Sequence, residues 1–202
     1  GYSQHDEAQF VADEVEALRR AGMPYGEMAV FYRTNSQSRA LEEIFIRSAV
    51  PYKIMGGTKF YDRAEIKDAL AYLVAVANPA DEMSVRRILN KPRRGIGDVT
   101  ETAIARFAEE HGISFRDALS MPAQLGVGPK LQAAIAQLDA VLAEATAILI
   151  PATGELPPPT AVADGLSVLL SKSGYLDALR ASRDPQDEAR VENLDEFVAV
   201  AR

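Results

Sequence analysis

The chain has 202 residues, of which 48% are hydrophobic and 25% charged, and its formal net charge at pH 7 is -7. That length accommodates a genuine core in one large domain or two small ones. The acidic balance argues against a general nucleic-acid coat but leaves room for a local basic footprint, and the absence of cysteine excludes disulfides and thiolate metal sites. The longest apolar runs read as too short to cross a bilayer and no signal peptide opens the chain, so a soluble cytoplasmic protein without a membrane partner is expected.

In chain order, Val11, Val15 and Leu18 recur at helical spacing. Residues 28–32, "MAVFY", form a continuous apolar run that predicts a strand buried on both faces. Leu41, Ile44, Phe45 and Ser48 trace a second helix, and "PYKIM" predicts a second strand stopped by Gly56 and Gly57. Helix, strand, helix, strand is the pattern of an α/β unit with a parallel sheet. Ile66, Leu70, Leu73 and Ala77 continue on a helix that Pro79 ends.

Beyond that point the strand signal disappears. Leu131, Ile135, Leu138, Leu142 and Ala145 give one long stripe, opened by Pro129 at a first helical position. Val162, Leu166 and Leu169 give another, closed by Gly174, and Val191, Leu194, Val198 and Ala201 give a last one. Residues 149–160, "LIPATGELPPPT", predict a Pro-rich surface loop. The expected fold class is therefore α/β followed by all-α. A two-stranded sheet is too small to stand alone and the last helix has no stop signal, so the chain reads as a piece of something larger.

One segment concentrates cations. Arg86 and Arg87, followed by Lys91, Arg93 and Arg94 of "KPRRGIGDVT", fall before a Gly-Ile-Gly turn, with Asp98 expected to cap the next helix and Glu101 three residues later. Helix, Gly-hydrophobic-Gly, helix is the pattern of a helix-hairpin-helix turn, whose amides and helix start face a phosphate. Ile96 would anchor the turn in the core. "LGVGPK" offers a second copy, with Gly126, Gly128 and Lys130. The bland reading is two tight interhelical turns with arginines solvating a helix end.

Elsewhere, Tyr32 and Arg33 close the first predicted strand, where a ring can stack on a base and a guanidinium can bind phosphate oxygens. Asn35, Gln37, Ser38 and Arg39 follow, with Ser36 a candidate cap. No G-x-x-x-x-G-K-[ST] occurs, so the chain cannot hydrolyse a nucleotide by itself. His5 and His111 are far apart and read as surface residues, and no metal site is expected. Asp62, Glu65 and Asp68, interleaved with Arg63 and Lys67, read as helix-surface ion pairs.

The blocks "DEAQFV", "AVFYRTNSQSRALEE", "PYKIMGGTKFYDRAEIKDALAYL", "KPRRGIGDVT", "KSGY" and "RVENLDEF" occur in this order, and together they resemble the UvrD/PcrA family of DNA helicases. The resemblance implies a parent enzyme that translocates 3′ to 5′ on single-stranded DNA by ATP hydrolysis, with Mg, between two RecA-like motor domains. It implies that residues 1–77 are a partial RecA-like motor domain 2A, and that 78–202 are a helical insertion domain, 2B, incomplete at its C-terminal end. Tyr32 would then stack on adenine and Arg33 would act catalytically as an arginine finger. Arg93, Arg94, Gly95, Ile96, Gly97 and Thr100 would grip duplex DNA, as would the second turn at Gly126, Gly128 and Lys130. Gly57, Lys59 and Arg63 would touch DNA near the junction.

The phosphate loop and the Mg-binding acidic motif of the family are missing here, so the piece alone is expected to bind no cofactor and to unwind nothing. Expected partners are DNA, as duplex and as single/double-strand junction, and the remaining motor domains. Repair or transcription proteins and self-association are further possibilities, in a bacterial, nucleoid-associated setting. The alternative is a protein-interaction module whose glycine turns are plain turns.

Overall fold

The computed structural model describes residues 3–55, 57–154 and 156–202, with the side chain of Asn35 outside them. Gly56, half of the expected strand stop, and Glu155 of the Pro-rich loop also lie outside the described residues. The chain forms two compact units, Gly1–Ile66 and Lys67–Arg202.

In the first unit, α1 (Gln4–Arg20) packs on α2 (Ser38–Arg47). Ser3 and Asp6 form a reciprocal capping box that starts α1. The shared core holds Ala8, Ala12 and Val15 from α1, Ala40, Ile44 and Phe45 from α2, and Val50. Small alanines on α1 let the two helices approach closely. Leu18, expected on the buried face, is exposed.

The expected parallel sheet is not there. Among the described residues no strand forms, and the partial RecA-like α/β reading is corrected to an all-helical architecture. Met28 has extended backbone, φ -102° and ψ 140°, but a strand exists only through a ladder partner, and neither 28–32 nor 51–55 finds one. Nor is the first run buried: Phe31 is 93% exposed. An apolar run can specify burial only where something covers it.

The boundary between the units falls within α3 (Ala64–Ala77). The second unit continues with α4 (Glu82–Leu89), α5 (Asp98–His111), α6 (Phe115–Ala118), α7 (Pro129–Leu149), α8 (Ala161–Lys172), α9 (Tyr175–Arg180) and α10 (Pro185–Val200). Tyr72, Ile88, Leu89, Ile104, Leu119, Ile135, Leu138, Leu142 and Leu166 are among its large fully buried side chains, and burying such a leucine or isoleucine stabilises by roughly 1.5–3 kcal/mol.

By length and composition the 21-residue α7 could cross a membrane, contrary to the reading of short apolar runs. Instead it buries Ile135, Leu138, Val141, Leu142 and Ala145 and packs on α8. Its two acidic residues pair with neighbours, Asp139 with Arg116 and Glu144 with Lys172. Gly165 permits the close approach of α8, since a Cβ there would lie 2.8 Å from Leu149 Cγ.

Candidate nucleic-acid and nucleotide interfaces

The Gly-Ile-Gly turn joins α4 to α5. Asn90 follows the last residue of α4, and its side-chain oxygen accepts from the amides of Arg94 (2.7 Å) and Ile96 (3.3 Å). That bond pair curls the loop on itself and drops Ile96 into the core, 2% exposed. Gly95 takes φ +80°, the left-handed region that suits glycine. Gly97 does not: it is extended at φ -106° and ψ -175° and is itself the N-cap of α5, one residue before the expected Asp98.

Among the described residues no side chain caps that helix start. Its first amides, through the buried Thr100, therefore lack the intrahelical acceptors that later amides have. Asp98 and Val99 are exposed at the same end.

The second glycine turn is built alike. Gly126 has φ +68°, Gly128 is the N-cap of α7 without a side-chain cap, and Pro129 occupies N1. A Cβ placed on Gly95 would lie 4.0 Å from Cδ2 of Leu131, near the start of α7. The Gly-Ile-Gly turn thus approaches the first turn of α7 through the Leu131 side chain.

The cations around them divide sharply. Arg86 is held by Glu82 and Glu101 and lies over the Phe115 ring at 4.5 Å, so Glu101 serves as its partner and not in a capping box. Arg87 Nε donates to Asp68 at 2.7 Å, and Lys91 Nζ to the same carboxylate at 3.1 Å. The Arg94 guanidinium is surrounded by carbonyls. Only Arg93 and, at the second turn, Lys130 are exposed and make no side-chain hydrogen bond or ion pair among the described residues.

In the first unit, Val30, Phe31, Tyr32 and Arg33 line an open groove of about 260 Å³ with Ala8, Val11 and Leu41. Gln37 shapes its rim by accepting from the amides of Arg33 (2.9 Å) and Thr34 (3.1 Å). Gln37, and not Ser36, precedes α2, and Ser36 bonds the Thr34 hydroxyl instead. The Arg33 side chain is exposed, with no partner among the described residues.

Within the glycine block, Gly57 and Lys59 are exposed, and Lys59 Nζ stands 5.4 Å from the Tyr52 ring centroid. Arg63 is buried: it donates to Ser38 Oγ at 2.9 Å and lies over Phe60 at 5.3 Å. Burial lowers its pKa, opposed by Glu42, Glu65 and Tyr32. Ser38 in turn donates to Glu42, which also accepts from the Phe60 amide.

Glu65 and Asp68 are buried as well, at 5% and 4% exposure, not surface ion pairs. Sequence reasoning missed Tyr72 and Asn90 and placed Asp68 on the helix surface, where the structure buries it. A signal was present, for Asp68 shares the i, i+4, i+7 face of Tyr72 and Ala75, and a carboxylate on an apolar stripe needs cationic partners.

The chain is similar in sequence to known proteins. ATP-dependent DNA helicase UvrD1 of Mycobacterium tuberculosis is 46% identical over 200 residues, covering 98% of this chain. ATP-dependent DNA helicase PcrA is 40% identical over 201 residues in Staphylococcus epidermidis and 38% over 200 residues in Staphylococcus aureus, each covering 99% of this chain. The chain spans about a quarter of the length of these relatives. The family model of the UvrD-like helicase C-terminal domain matches residues 1–202. The chain belongs to the UvrD-like helicase C-terminal domain family.

Proposed function

We propose that this chain is part of an ATP-dependent 3′-to-5′ DNA helicase, in which the paired glycine turns of the second unit contact duplex DNA. The observation that carries the proposal is the pair of uncapped helix starts, each accompanied by an exposed cation, Arg93 or Lys130, that has no partner among the described residues. Exposed amides and fixed cations suit phosphate oxygens and read no sequence, as a translocating enzyme requires. Gly97 and Gly128 leave the backbone open, since a Cβ at either would meet nothing within 4 Å.

In the first unit, Tyr32 stacks on the adenine and Arg33 places its charge on the γ-phosphate oxygens, where negative charge develops during transfer. The groove offers the Phe31 and Tyr32 rings and a cation without a partner among the described residues, and the chain has no phosphate loop, so these residues fit one wall of an ATP site. ATP with Mg, when bound, supplies the phosphoanhydride bond whose hydrolysis drives movement. Gly57 and Lys59 reach DNA beside this unit, while Arg63 supports their loop from within.

The test is fluorescence anisotropy of a labelled duplex with a single-stranded 3′ tail, comparing the wild type with Arg93→Ala/Lys130→Ala. Loss of two phosphate contacts is expected to weaken duplex binding about tenfold or more at moderate salt. Equal affinity of the two proteins would exclude these turns as the duplex contact.

A further inference from the structure

We propose that Arg94 is the positioning residue of the Gly-Ile-Gly turn and not a phosphate ligand, held in that role by Tyr72 and Asp68 on α3. The inference rests on the reading of the turn as the duplex contact. Where α4 ends at Leu89, its last carbonyls have no intrahelical donors. Arg94 reaches back to supply them: Nη1 lies 2.9 Å from the Ile88 oxygen, 3.2 Å from Leu89, 2.9 Å from Lys91 and 3.3 Å from Pro92. Nη2 donates to the Tyr72 hydroxyl at 2.7 Å and to the Ser173 carbonyl, beyond α8, at 3.2 Å.

The loop is therefore wrapped around one guanidinium. A forked, planar cation can serve several oxygens at once, whereas an ammonium on a single stem cannot reproduce that geometry. To meet a phosphate, Arg94 would have to give up these oxygens together, although the Ile88 carbonyl also accepts from the Lys91 amide at 3.1 Å and the Lys91 carbonyl from the Tyr72 hydroxyl.

Tyr72 and Asp68 complete the support. The Tyr72 hydroxyl accepts from Arg94 and donates to the Lys91 carbonyl at 2.5 Å, so its single oxygen ties the guanidinium to the loop. Asp68 fixes the side chains on either side of that tie, accepting from Arg87 Nε (2.7 Å), Lys91 Nζ (3.1 Å) and the Tyr175 hydroxyl (2.8 Å). Adjacent arginines thus divide the work: Arg93 faces solvent with its charge free, and Arg94 holds the backbone from which Arg93 projects.

Conservative replacements separate the roles. In the 202-residue chain, duplex affinity is measured for the wild type and for Arg93→Ala, Arg93→Lys, Arg94→Ala, Arg94→Lys and Tyr72→Phe. Thermal unfolding and hydrogen exchange of residues 88–97 accompany each. A phosphate ligand tolerates lysine, so Arg93→Lys is expected to retain most of the affinity that Arg93→Ala loses. Arg94→Lys is expected to bind as poorly as Arg94→Ala, about tenfold or more below wild type. Tyr72→Phe, which removes one buried oxygen and leaves the ring, is expected to weaken binding and to speed exchange at the Arg94 and Ile96 amides.

Wild-type affinity in Arg94→Lys would overturn the proposal. So would unchanged exchange in Tyr72→Phe, whatever the fate of the bulkier changes. If the Arg93 variants leave affinity untouched, the duplex reading itself fails, and exchange in Tyr72→Phe still decides whether the clasp exists.

Discussion

Residues 28–34 of the first unit and 90–97 of the second are both irregular segments carrying candidate contacts, and they are held in opposite ways. The first is tethered at one end by Gln37, and its apolar run is uncovered, with Phe31 93% exposed. The second is tied by Asn90 from within and by Arg94, Tyr72 and Ser173 around it, with Ile96 buried. Order in a loop follows from where its amides and carbonyls find partners, not from how apolar its residues are. Among the described residues, the cation of the first segment, Arg33, has no partner because little packs there, whereas at the second only Arg93 escapes a dense polar network.

Substitutions at the two segments should diverge accordingly. The largest contrast is between Ile96→Asp and Phe31→Asp. The first buries a charge without a partner and is expected to cost about 4 kcal/mol or more in urea unfolding. The second changes an exposed side chain and should stay within about 0.5 kcal/mol. Comparable losses would mean that the first segment is as firmly packed as the second.

Smaller effects sharpen the picture inside the turn. Gly95→Ala forces a Cβ into the left-handed region and should cost about 1–2 kcal/mol. Gly97→Ala meets open space and extended backbone, so only N-cap preference opposes it, at about 1 kcal/mol or less. The reverse order in thermal unfolding would contradict the observed backbone. Smallest of all is Tyr52→Phe in the first unit. Its hydroxyl is buried without a hydrogen-bond partner among the described residues, and burial, followed by the nearby Glu42, raises its pKa. Removing it should be neutral or stabilise by up to about 1 kcal/mol; a marked loss of stability would show that the hydroxyl has a partner.

Much of the helical framework is legible in the sequence. Ile135, Leu138, Leu142 and Ala145 line the buried face of α7, and the Gly-Ile-Gly pattern places Ile96 inside, because helical periodicity and glycine turns are local signals. The two strands are not legible in the same way, for ladder pairing is a property of two segments and an apolar run describes only one. The basic cluster misleads for a related reason. Counting Arg86, Arg87, Lys91, Arg93 and Arg94 treats charges as free, and their acceptors, Glu82, Glu101, Asp68 and the carbonyls ending α4, are supplied by folding. The positive φ belongs to Gly95 alone of that pair, since Gly97 leaves the turn as an N-cap.

The claim at the centre of this account is that one arginine of the adjacent pair meets the duplex. The most direct test is the salt dependence of tailed-duplex affinity for the wild type and Arg93→Ala. Removing one phosphate contact is expected to reduce the slope of log affinity against log salt by about one. A slope identical to that of the wild type would contradict the account, since Arg93 would then contact no phosphate.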